Sequence, residues 1–289
     1  MLWKNRRQSE NVEDIREGGE SGGGRGRVIA GGGCGTLIII ILGLIFGFDP
    51  QRFLRQQQPS APNKPTATRP NAQRMDDEAK QFISVVLADT EDFWKDTFQR
   101  GGRRYTPPKL VLFTNRVNTA CGLGQAASGP FYCPGDKNVY LDFAFFREMK
   151  TRFEAPGDFA QAYVVAHEVG HHIQQLLGAS SKVEAAQRQA WNEAQANDLS
   201  VRLELQADFY AGMWARYAMQ KGILERGDLE EALNAATAVG DDRLQSRAQG
   251  YVVPDSFTHG TSAQRLRWFK KGFDTGDIRQ GNTFNTREL

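Results

Sequence analysis

Residues 166–173 read Ala-His-Glu-Val-Gly-His-His-Ile, and the spacing inside that run narrows the possible folds more than any other feature of the chain. His167 and His171 stand four apart, so on an α-helix both imidazoles leave the same face, with Glu168 beside them. Two convergent imidazoles with an adjacent carboxylate suit one divalent ion, zinc above all, and a base working next to it. The run must therefore be helical. Asp158 follows Pro156-Gly157 and has Gln161 three places on, a capping-box arrangement that predicts the helix start, while Gly178 predicts its end. Phe159, Tyr163, Ala166, Ile173 and Leu177 recur at helical spacing, and Val165, Val169 and Leu176 lie on another face, as in a helix buried on most sides. The chain has four histidines, and three of them fall here. His172 points about 100° away from His171 and is expected to support the site or the core rather than to bind metal.

A catalytic zinc takes three protein ligands and leaves one position exchangeable. A third histidine in a His-Glu-x-x-His-x-x-Gly-x-x-His pattern is excluded, because Gln174 and Leu177 occupy the required positions. A carboxylate from a later helix is the alternative, and Glu204-Leu205-Gln206-Ala207-Asp208 offers two acids four apart on one face. Glu204 is assigned to the metal, with Asp208 holding a histidine ring N–H and so its tautomer, although either acid could be the ligand on spacing alone. Glu193 lies in a more polar stretch and is a weaker candidate. His259, in Thr258-His259-Gly260, is the remaining histidine and the candidate donor to a developing oxyanion, with Arg265 as a charge partner.

The rest of the chain divides by composition. Residues 1–27 are polar, charged and glycine-rich, which predicts a disordered, cytoplasmic tail. Residues 28–48 carry no charge and reach about 31 Å as a helix, enough for a single transmembrane anchor in a lipid bilayer. Residues 49–74 hold five prolines and a Gln56-Gln57-Gln58 run, the composition of an extended linker. Residues 75–289 form the expected domain, with the excess of basic residues before the span placing it outside the inner membrane, periplasmic or extracellular.

Within that domain the pattern predicts a helix over 75–99, a strand over 109–114, a hairpin with its turn at Pro134-Gly135-Asp136-Lys137, and a short helix over 143–153. Ser181 and Glu184 predict the capped start of a long helical stretch, broken near Asp198, and further helices follow over 228–239 and 262–273. The fold class is thus α+β, mainly helical with a small β-sheet or hairpin. Cys121 and Cys133 share a loop-rich region and could bridge, which would imply an oxidising compartment. With 36 basic against 34 acidic residues there is no field to attract nucleic acid.

His167-Glu168-x-x-His171 followed by Glu204-x-x-Ala207-Asp208 resembles the gluzincin metallopeptidases, locally the membrane-bound prenyl-protease-type branch. From the Trp3-Lys4-x-Arg6-Arg7 start through the glycine-flanked anchor, the cysteine pair, the metal box and the His259 segment, the chain is more similar to the bacterial neutral zinc metallopeptidase family. The resemblance implies a zincin-like domain, a zinc cofactor and a polypeptide substrate. A non-catalytic zinc-stabilised envelope binding module and a metal-dependent amidase acting on a small molecule use the same residues and stay open.

Overall fold

The computed structural model describes residues 1–16, 70–125, 129–151 and 155–289. The described residues build an α+β domain, mainly helical, with a four-stranded and a two-stranded sheet. The larger sheet runs in the order β1 (Val12–Asp14), β2 (Lys109–Leu112), β6 (Asn138–Leu141), β5 (Phe131–Cys133). β2 pairs in parallel with both β1 and β6, and β5 pairs antiparallel to β6, with Tyr132 opposite Val139. The smaller sheet is a hairpin of β3 (Arg116–Thr119) and β4 (Gly122–Gln125), which the sequence pattern did not suggest. Cys121 and Cys133 are bridged, tying that hairpin to the end of β5.

The long helix α1 (Pro70–Arg100) begins on a proline, which suits a first helical position because the missing N–H would be unpaired there anyway. It starts five residues earlier than expected, inside the 49–74 stretch read as linker. The short α2 (Phe143–Thr151) leads to the helix carrying the histidine box, α3 (Asp158–Leu177). Gly178 ends α3 in the left-handed conformation (φ 80°), and its N–H closes onto Gln174 and Gln175. The expected Asp158 capping box does not form, since Gly157 occupies the cap position without a side-chain bond. Glu231 reaches the N–H of Phe159 instead, at 3.0 Å, while Asp158 meets the α-amino group of Met1 at 2.7 Å. Nor does Ser181 cap the next helix, because α4 (Ala179–Gln187) has already begun behind Gly178. After it, α5 (Glu193–Gln220) runs unbroken past Asp198, capped by Asn192, whose side chain accepts from Gln195 N–H. It is followed by α6 (Asp228–Ala238), α7 (Asp241–Gln249) and α8 (Ser262–Thr275).

α3 runs through the middle of the domain. Phe159, Tyr163, Val165, Val169 and Ile173 are buried, as the two apolar stripes required. α5 can come close because residue 170, between the two histidines, is glycine: a Cβ there would lie 3.0 Å from the Ala207 carbonyl oxygen. That approach brings the acids of α5 opposite the histidines of α3.

Residues 1–16 depart from expectation. Read as the start of a disordered tail, they are built into the domain. Met1 and Trp3 are buried, and Trp3 packs edge-on against Phe82. Ser9 and Asn11 both donate to Glu91, and Arg6 pairs with Asp89 at 2.9 Å. β1 then adds a strand to β2, with Val12 opposite Leu110. The segment lacks a core of its own, which is what composition detects, but α1 and β2 supply buried acids and an open strand edge that pair with it. Among the described residues no helix is long and apolar enough to cross a membrane. The expected span over 28–48 lies outside the described residues, as does most of the stretch read as linker.

Candidate metal and catalytic site

The side chains predicted from spacing converge. His167 Nε2 lies 3.2 Å from Glu204 Oε2, and His171 Nε2 lies 3.4 Å from Glu204 Oε1. One ligand atom from each of the three residues falls within 4.8 Å of the others. The opposite edges of both rings are occupied. His167 Nδ1 is 2.8 Å from Asp208, and His171 Nδ1 is 2.9 Å from the Gln174 side-chain oxygen. The Gln174 amide nitrogen donates to the Leu203 carbonyl, which turns the amide oxygen towards His171. With Nδ1 engaged on the far side, each ring turns its Nε2 towards one point. Two nitrogen lone pairs and a carboxylate facing each other call for a cation between them, and the N2O set suits zinc.

The protonation preferences agree. Burial opposes charge on Glu204, but His171 and His167 outweigh it and hold its carboxyl well below the usual range. Burial likewise works against a charged His167, yet the carboxylates of Asp208 and Glu204 raise it to about 10. In the three-residue cluster that positive charge is what a bound ion replaces. His171 goes the other way, lowered by burial.

Asp208 resolves the ambiguity between the two acids. It is wholly buried and accepts from His167, from Tyr163 Oη at 2.5 Å, and from Arg265 at 2.9 and 3.0 Å. With both oxygens engaged behind the ring it orients His167, and Glu204 alone reaches the front. Arg265, from α8, is the charge partner expected of it: burial disfavours its charge, and Asp208 more than restores it. Glu193 sits exposed in the first turn of α5, away from the cluster.

Glu168 lies beside the cluster and is buried. Burial pushes its carboxyl up to about 7, with His167 opposing and Glu204 adding to the rise. That value suits a group that takes and returns a proton near neutrality. His259 faces the same cleft. Its Nδ1 is 3.1 Å from Asp241, whose other oxygen accepts the backbone N–H groups of Thr258, His259 and Gly260 at 2.7, 2.6 and 3.1 Å. Asp241 thus fixes both the loop and the ring, leaving Nε2 for the cleft.

Sequence reasoning missed Asp241, Tyr163, Gln174 and Tyr132. Asp241 had one faint signal, an Asp-Asp pair after Gly240 of the kind that opens a helix. Tyr163 read as a core residue and Tyr132 as part of a strand, while Gln174 carried no signal beyond excluding a third histidine ligand. Among the described residues β6 is interior to the larger sheet, whose edge strands are β1 and β5.

The cluster opens into a cleft of about 240 Å³. His167, Glu168, His171, Glu204, His259 and Arg265 contribute its polar wall, while Phe131, Phe145, Val164, Val239 and Leu244 make most of the remainder apolar.

The sequence profile of the family described as "Putative neutral zinc metallopeptidase" matches residues 1–284. The chain is 52% identical over 288 residues to the uncharacterized protein YpfJ of Escherichia coli K12, covering 98% of this chain and 99% of that protein. It is 45% identical over 196 residues to the uncharacterized protein Rv2575 of Mycobacterium tuberculosis H37Rv, covering 64% and 65% respectively. No solved structure matches it.

Proposed function

Because the chain belongs to the neutral zinc metallopeptidase family, whose metal is zinc, we propose that it hydrolyses peptide bonds in polypeptides by a gluzincin-type mechanism within a zincin-like domain. The observation that carries this reading is the meeting of His167, His171 and Glu204 at one point, with Glu168 buried beside them. A structural zinc site is usually closed by four protein ligands; three with an open cleft in front favour catalysis.

Zinc held by these residues supplies Lewis acidity, polarising a carbonyl and acidifying a water molecule. Glu168 takes a proton from the attacking water and returns it to the departing amine nitrogen. Its buried, raised carboxyl can be loaded and unloaded near neutral pH. His259, steadied by Asp241, donates to the oxyanion of the tetrahedral intermediate, an interaction worth about 3 kcal/mol where it acts. An extended peptide fits the open edge of β5, and the apolar wall of the cleft favours an apolar side chain next to the scissile bond. The Cys121–Cys133 bridge supports an oxidising location. Anchoring to a bilayer through residues 28–48 rests on their composition alone.

The test is Glu168→Gln against an unfolded protein substrate. Zinc stoichiometry should be retained while turnover falls by at least about 100-fold. Unchanged turnover in the variant defeats the mechanism, and an absence of hydrolysis across peptide libraries by the zinc-loaded wild type defeats the activity.

A further inference from the structure

The chain beyond α8 returns to α5 and grips one stripe of it. Arg202 donates to the carbonyl oxygens of Thr283 at 2.6 Å and Thr286 at 3.1 Å, and the Thr283 hydroxyl donates back to the Arg202 carbonyl at 2.6 Å. One turn on, the Gln206 amide donates to the Gly281 carbonyl at 2.8 Å. Phe209 follows, so close to Gly281 that a Cβ there would lie 2.6 Å from its ring. Arg202, Gln206 and Phe209 stand at helical spacing on one side of α5, with Glu204 and Asp208 on the other.

Gln206 links that grip to the metal cluster. Because a carbonyl can only accept, the Gly281 oxygen holds the Gln206 amide nitrogen and leaves its amide oxygen for α3. That oxygen accepts from the Gln174 amide nitrogen at 3.3 Å, which also donates to the Leu203 carbonyl at 2.6 Å. The Gln174 oxygen then faces His171 Nδ1 at 2.9 Å, while Nε2 of the same ring lies 3.4 Å from Glu204. Two backbone carbonyls thus set the direction of the whole chain of donors. Both amides are buried, so water does not replace a lost partner. The two metal-facing rings are held differently: His167 by the charged Asp208, His171 by neutral amides. A methionine would fill the place of Gln206; what the amide adds is the link from residue 281 to His171.

We propose that Gln206 is a positioning residue for the metal centre: it carries the placement of the Gly281 carbonyl through Gln174 to the His171 ring, so that the segment following α8 fixes the aim of His171 Nε2. This rests on His171 being a metal ligand.

The experiment titrates zinc against a competing chelator in wild type, Gln174→Met, Gln206→Met, Gly281→Ala and the double Met variant, with nitrogen NMR of the His171 ring in the metal-free proteins. Gln174→Met should weaken zinc binding by about 10- to 100-fold, the usual cost of removing the partner of a metal-bound histidine. Gln206→Met and Gly281→Ala should each weaken it by about 10-fold, the second because the added methyl group meets the Phe209 ring and drives the segment away. The double variant should lose no more than Gln174→Met, since Gln206 acts only through Gln174. In the metal-free wild type at neutral pH the His171 ring should carry its proton on Nδ1, where Gln174 accepts it. In Gln174→Met the proton should move to Nε2, where Glu204 is the remaining acceptor. Wild-type zinc affinity in Gln206→Met or Gly281→Ala, whatever their heat stability, overturns the proposal, as do losses that add in the double variant or a wild-type ring protonated on Nε2. If Gln206→Met does not fold, Gly281→Ala and the wild-type ring still decide it. Zinc bound as tightly by His171→Ala as by wild type would remove the ligand assignment itself, whereas loss of zinc in His171→Ala beside full affinity in Gln206→Met removes only the relay.

Discussion

Asp241 is wholly buried, and three backbone N–H groups and the His259 ring converge on its two oxygens. Burial would raise its pKa, but His259 and the backbone donors lower it below the ordinary carboxylate value. A carboxyl depressed in the folded state stabilises fully above its unfolded value of about 4 and loses that contribution as pH falls towards its lower folded value. Asp241→Asn should therefore cost about 2–3 kcal/mol at neutral pH, with the deficit shrinking as the pH drops below about 4. Urea titrations of both proteins between pH 3 and pH 7 measure this, and a deficit that does not change with pH would contradict it. Such a residue is hard to read from sequence because its partners lie 17–19 positions away with no periodic signal. His167, Glu168 and His171 were readable because one helical turn makes their geometry local. Glu204 came from chemistry, as the carboxylate that a three-ligand site still lacked.

At the level of elements, the meeting of α5 and α8 is tighter than helices normally allow. A Cβ on Gly212 of α5 would lie 2.0 Å from the Phe269 carbonyl oxygen, and a Cβ on Gly272 of α8 would lie 2.0 Å from the Phe209 carbonyl oxygen. Both obstacles are backbone, so neither can swing aside. Gly272→Ala must separate the helices, and overpacking of this sort costs about 1–3 kcal/mol or more. Since α8 carries Arg265 to Asp208, the variant should show a lowered unfolding temperature together with weakened zinc affinity. Scanning calorimetry and a competitive chelator titration read the two effects, and wild-type values in both would mean that the helices do not touch there. The extents of α3, α6 and α8 were visible in the pattern to within two residues. α7, β1 and the β3–β4 hairpin were not: each is short, and each is held by neighbours rather than by a periodicity of its own.

For the molecule as a whole, the docking of residues 1–16 has a topological consequence. β1 lies in the sheet beside β2, and Arg6 and Arg7 pair with acids of α1, so this segment and the other described residues form one body. A single membrane crossing between them would put the two on opposite sides, as the expectation of a cytoplasmic N-terminus and an external domain requires. The docked arrangement holds both on one side. With Cys34→Ser as background, Glu10→Cys and Arg287→Cys, both at exposed positions, should react alike with a membrane-impermeant maleimide in intact cells. One labelled and the other protected would show that the docked arrangement is not the one in the cell. By itself the sequence determined the helical box, its zinc chemistry, the downstream acids and the mainly helical class, because these follow from spacing along one helix and from burial. Only the tertiary structure decided that Glu204 faces both histidines while Asp208 sits behind His167, that β5 is an edge strand, and that the N-terminal segment belongs to the domain. Those depend on which surfaces meet, and contacts between distant parts of a chain leave no period in its sequence.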